Sequence, residues 1–73
     1  MFNMKIAPIK ITSQYLIDNG YSENYLGSAQ KWVYRKEDVF VWKDYDGFRY
    51  NDGTEIKTDE DLEKCIINEF GED

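Results

Sequence analysis

The stretch WVYRKEDVFVWKDYDGFRYNDGTEI, Trp32 to Ile56, alternates apolar-aromatic runs with turn-forming residues and so reads as two hairpins in series. Lys31 to Tyr34 forms one strand, Arg35 to Asp38 a charged turn, and Asp38 to Lys43 a central strand. Asp44-Tyr45-Asp46-Gly47 fits a type I turn whose glycine takes the left-handed position. Phe48 to Asn51 then returns, Asp52-Gly53 turns again, and Thr54 to Ile56 adds a short strand. At the centre, Val39, Phe40, Val41 and Trp42 show no polar face. A strand that is apolar on both sides needs two covers, and so short a chain supplies one of them. The second is expected from a partner.

Period two sorts the side chains onto faces. A three-residue loop in the second hairpin puts Trp42 opposite Tyr50 and Asp44 opposite Phe48, which collects Phe40, Trp42, Phe48 and Tyr50 as the core face. Val39, Val41, Lys43 and Arg49 take the other side. With Trp32 and Tyr34 aligned to it, that side offers Trp32, Tyr34, Val39 and Val41 as the expected apolar partner-binding surface. Register decides the outcome, because a slip of one residue exchanges the faces.

Outward from the sheet, Met4–Ile6 and Ile9–Ile11 suit a short edge strand interrupted by Pro8, a residue unable to donate to a ladder. Thr12 or Ser13 caps a short helix carrying Tyr15, Leu16 and Ile17, and Asn19-Gly20 stops it. Tyr21 to Gln30 sustains no period and reads as a loop, or one helical turn around Glu23 to Leu26. Thr58-Asp59-Glu60-Asp61 opens a second helix with a capping hydroxyl and carboxylates that favour its positive end. Leu62, Cys65, Ile66 and Phe70 recur at helical spacing before Gly71 ends it. The expected fold is therefore a single α+β domain over residues 1–73. It holds a three- to four-stranded antiparallel meander, with a short N-terminal helix and a C-terminal helix on one face.

Composition removes most chemistry. The 73 residues include one cysteine and no histidine, which excludes an internal disulfide, the common zinc sites and histidine catalysis. Cys65 falls on the apolar stripe of the last helix, where a thiol is inert. No serine sits in a glycine-flanked nucleophile turn. The carboxylate pairs Asp44/Asp46 and Asp59/Asp61 lie in a turn and at a helix start, not in a pocket that would tune them for acid–base work. A non-enzymatic protein without a cofactor is expected. Acids at Asp44, Asp46, Asp52 and Glu55 match positions 1, 3, 9 and 12 of an EF-hand calcium loop. Phe48 and Arg49 then stand where an oxygen ligand and the turning glycine belong, so two ordinary acidic turns are the better reading. The N-terminus contains no uninterrupted apolar stretch of a signal or membrane-spanning kind, and the lone thiol fits a reducing setting. Both favour a cytoplasmic protein.

Charge completes the reading. Residues 1–36 carry five cations against two carboxylates, and residues 37–73 carry four against thirteen, for a net −6. Aromatic residues make up 16% of the chain and replace the missing staples of so small a domain. Aromatics interleaved with Lys31, Arg35, Lys36, Lys43 and Arg49 resemble the stacking platforms of single-strand binders, but such proteins carry a positive groove and this half is acidic. Two readings remain. One is a protein-interaction module, a homodimer or assembly subunit, associating through the second face or an edge of its sheet. The alternative is an acidic inhibitor, of the sort small phage or mobile-element proteins often are, that blocks a basic groove by imitating phosphates. Its surface would be Asp44, Asp46, Asp52, Glu55, Asp59, Glu60, Asp61 and Glu63.

Overall fold

The computed structural model describes residues 8–71. The chain runs through α1 (Ser13–Asp18), β1 (Ser22–Leu26), β2 (Lys31–Lys36), β3 (Val39–Asp44), β4 (Gly47–Tyr50) and α2 (Asp59–Phe70). The strands form one antiparallel sheet in the order β1-β2-β3-β4, each pairing with its neighbour in sequence. This is the expected α+β meander with two helices. The strand expected at Met4–Ile6 lies outside the described residues.

Local chemistry sets the ends of each helix. The Thr12 hydroxyl accepts the Tyr15 N–H at 3.0 Å, and Leu16 is the buried residue of α1. Thr58 and Asp61 form a capping box: Thr58 Oγ1 accepts the Asp61 N–H at 3.3 Å, and the Asp61 carboxylate accepts the N–H of Lys57 and of Thr58. Gly71 ends α2 with φ 72°, a left-handed conformation that costs glycine nothing.

The sheet departs from expectation in two places. Tyr21 to Gln30 is not a loop, because Ser22–Leu26 pairs with β2 from Ser22↔Arg35 to Leu26↔Lys31. All five residues of β1 are exposed, so the sequence shows no apolar alternation there, although Glu23 accepts the Tyr34 hydroxyl at 2.7 Å and Tyr25 packs against Trp32. The second departure is register. β2 extends through Lys36, and Glu37-Asp38 is a two-residue turn with Glu37 at φ 54°. β3 and β4 are likewise joined by two residues, Tyr45 and Asp46, with Gly47 at φ 123°. Val41 therefore lies opposite Tyr50 and Trp42 opposite Arg49. The expected three-residue loop, which set Trp42 against Tyr50, is corrected by one position and the faces of β3 exchange.

The core gathers on the face thus defined. Tyr34, Val41 and Tyr50 of the sheet are joined by Leu16, Leu62, Ile11, Tyr21 and Ile56, with Tyr15, Val39, Phe48, Cys65 and Ile66 packed around them. Two tyrosine hydroxyls tie the helices to this face: Tyr34 meets Ser13 Oγ at 2.7 Å, and Tyr50 donates to the Glu69 carboxylate. Phe70, expected on the buried stripe, is 49% exposed in the last turn of α2. Beyond β4, Tyr50 N–H donates to Thr54 O and Ile56 N–H to Phe48 O, so residues 54–56 lie along β4 through the single bridge Arg49↔Glu55 and do not form the short strand expected there. The segment around Lys10 does not form a full edge strand. It makes one bridge, Lys10↔Thr58, framed by Ile11 N–H to Lys57 O and Asp59 N–H to Ile9 O.

Candidate protein-interaction surface

Both helices send their buried residues to the Tyr34–Val41–Tyr50 face, and among the described residues neither helix covers the opposite one. Alternation places Asn24 and Leu26 of β1, Lys31, Val33 and Arg35 of β2, Phe40, Trp42 and Asp44 of β3 and Arg49 of β4 on that open face. Its centre is apolar: Val33 stands opposite Trp42, and Phe40 is 39% exposed. Val33, Phe40, Val41, Trp42 and Asn51 line a shallow hollow of about 210 Å³.

Cations cover the aromatic rings of this face. Lys31 Nζ sits 3.3 Å from the centroid of the Trp42 ring, and the Arg35 guanidinium lies 5.2 Å from that of Phe40. Arg49 donates to Gly53 O at 3.0 Å, which steadies it beside Trp42. The indole N–H of Trp42 is shut off from solvent without a hydrogen-bond partner. A buried donor left unmade is a cost that tight packing of the ring must offset. At the paired positions of this face three cations, Lys31, Arg35 and Arg49, stand against two carboxylates, Asp44 and the Glu55 that bridges to Arg49. In a chain of net charge −6, these positions of the open face still carry an excess of positive charge.

The residues expected at a partner surface divide. Trp32, Tyr34, Val39 and Val41 do share a face, but it is the chain's own core face: Tyr34 and Val41 are each 1% exposed and Val39 is half-buried against them. Trp32 is the exposed member, its ring tilted 53° to that of Tyr25 with centroids 5.0 Å apart. Sequence reasoning missed Val33, Phe40 and Trp42 as surface. The available signal was the length of the β3–β4 turn, since a two-residue loop at Tyr45-Asp46 already implies this facing.

The acidic set is spread over turns and a helix end. Asp44 accepts the Asp46 N–H at 2.8 Å, Asp52 the Thr54 N–H at 2.9 Å, and Asp59 the Ile9 N–H at 2.9 Å. Glu55 bridges to Arg49 through the backbone, Glu60 and Asp61 lie in the first turn of α2, and Glu63 is exposed on it. Backbone N–H donors hold two of these carboxyls below their usual range, Lys57 and Thr58 for Asp61 and Thr54 for Asp52. Both carboxylates stay charged, Asp61 as a helix cap and Asp52 within the turn after β4. No three of the described acidic or thiol side chains converge to hold a metal ion. Burial pushes the Cys65 thiol up, helped by the charges of Asp52 and Asp61, so it stays protonated and unreactive at neutral pH. No helix among the described residues is long and apolar enough to cross a membrane. Comparison of the chain with protein-family models, curated proteins and solved structures returns no match.

Proposed function

We propose that this protein is a non-enzymatic interaction module whose open sheet face docks an acidic segment of another protein carrying an apolar anchor. One observation carries the reading: Val33, Phe40 and Trp42 form an apolar centre on the face without a helix, ringed by Lys31, Arg35 and Arg49. An apolar side chain of the partner fills the hollow beside Trp42, while its carboxylates meet the cations and set orientation. A second copy laid on this face would bring the three cations against the same three. The rings are also poor platforms for nucleic-acid bases, because Lys31 and Arg35 already occupy their faces.

Selection from a displayed library of short segments mixing Asp and Glu with Leu and Phe tests this reading. Wild-type protein should enrich acidic-apolar segments, and Val33→Glu or Phe40→Ser should weaken the enriched binders by at least about tenfold, the loss expected of an interface centre. Equal binding by wild type and both variants, or preferential binding of single-stranded oligothymidine by the same face, would overturn it. Groove mimicry by the acidic set has less support, since Asp44, Asp52, Asp59 and Asp61 are each engaged by backbone N–H groups on separate turns and one helix end.

A further inference from the structure

Each edge of the sheet ends differently. Beyond β4 the edge is covered by residues 54–56. On the other side β1 pairs, among the described residues, with β2 alone; it is exposed at all five positions and carries no lysine, proline or bulge, and its one charge, Glu23, is turned to the core face where its carboxylate accepts the Tyr34 hydroxyl at 2.7 Å.

Which of its backbone groups are free follows from the turns. The two-residue loop Glu37-Asp38 makes Lys36·Val39 a hydrogen-bonded pair, and alternation makes Tyr34·Val41 and Trp32·Lys43 the same. The N–H and C=O of Lys31, Val33 and Arg35 then turn to β1, where the Ser22 hydroxyl also reaches Arg35 O at 3.3 Å. On β1, Ser22, Asn24 and Leu26 are spent on that ladder, and the N–H and C=O of Glu23 and Tyr25 point away from the sheet.

We infer that β1 pairs antiparallel with β1 of a second copy, across a two-fold axis at Asn24. Only registers that set outward residues against outward residues keep the ladder. Centred on Glu23, the pairing would face carboxylate with carboxylate and require Tyr21, whose N–H is already bonded to Leu16 O. Centred on Tyr25, it would spend Glu23 on Gly27 in the β1–β2 turn. Centred on Asn24, it matches Glu23 with Tyr25 of the other copy in both directions and uses every free group of Glu23 and Tyr25. The Ser-Glu-Asn-Tyr-Leu strand is thus its own complement, and two four-stranded sheets join into one. The open faces stay free on the same side, so this contact is independent of the docking reading above.

Cysteine cross-linking tests the axis, because a non-hydrogen-bonded pair across it has the spacing a disulfide needs. In a Cys65→Ser background, Asn24→Cys should oxidise to a covalent dimer at least about tenfold faster than Tyr45→Cys, a fully exposed turn position away from β1. Light scattering on the unmodified chain should show a dimer that strengthens with salt as the repulsion between two acidic copies is screened. Tyr25→Glu, at an exposed site, should return it to monomer while the thermal unfolding transition stays cooperative. Cross-linking of Asn24→Cys no faster than Tyr45→Cys, or a wild-type monomer at high protein concentration and high salt, would overturn the inference.

Discussion

Val41 and Phe40 are adjacent in β3 and point to opposite sides of the sheet, which makes them a direct measure of what each face contributes. Val41 is buried against Tyr34 and Tyr50, so Val41→Ala removes buried methyl groups and should cost roughly 2 kcal/mol. Thermal denaturation should report that as a fall in Tm of about 10 °C for a domain of this size. Phe40→Ala, on the open face, should change stability by less than about 1 kcal/mol. Equal losses at the two positions would contradict the observed register. Tyr50 gives a pH signature at the same scale. Burial first, then its bond to Glu69, raises its hydroxyl above the ordinary value of 10.0. Its folded pKa lies above the unfolded one, so its contribution is complete below pH 10.0 and fades as pH rises through the folded value. Melting temperatures should fall on the alkaline side of pH 10.0, and Tyr50→Phe should flatten that limb.

The elements show which features the sequence makes legible. α2 is readable from end to end because Thr58, Asp61 and Gly71 mark its limits with specific hydrogen bonds and a left-handed residue. Thr58→Ala should lower stability by about 1 kcal/mol in denaturant titration, since it frees the Asp61 N–H. The same cap has an acid limb: the Asp61 carboxyl is held low, so its help is present above the unfolded value and is lost as pH falls through the folded one. The strands are legible as strands where side chains alternate, in β2, β3 and β4, and not in β1, where every residue is exposed and the side-chain contacts to β2 come from a carboxylate and a tyrosine that leave no apolar period. Facing was harder still. The alternation within β3 and β4 was correctly visible, yet their relative phase depends on whether Tyr45 and Asp46 alone, or one residue more, form the turn. That single count decides whether Trp32, Tyr34, Val39 and Val41 or Val33, Phe40 and Trp42 face away from the helices.

At the scale of the molecule, charge and packing are organised across the same sheet. The helix-bearing side holds the core and much of the acidic surface, and the open side holds three cations around an apolar centre. Fold class was recoverable from the pattern because hairpins in series and two capped helices admit few arrangements. The one-sidedness was also foreseeable, since two helices cannot blanket both faces, but which face remained bare required the pairing itself. The sheet order has a kinetic meaning as well. Every strand pairs with its neighbour in sequence, so the meander closes through short loops and its contacts are more local than those of a sheet with crossover connections. The link that spans most of the chain is the stitch of Ile9 and Ile11 to residues 57–59, which closes a loop around the entire sheet. Closing it surrenders more entropy than closing any hairpin among the described residues, so the stitch is expected to form after the hairpins and to open before them.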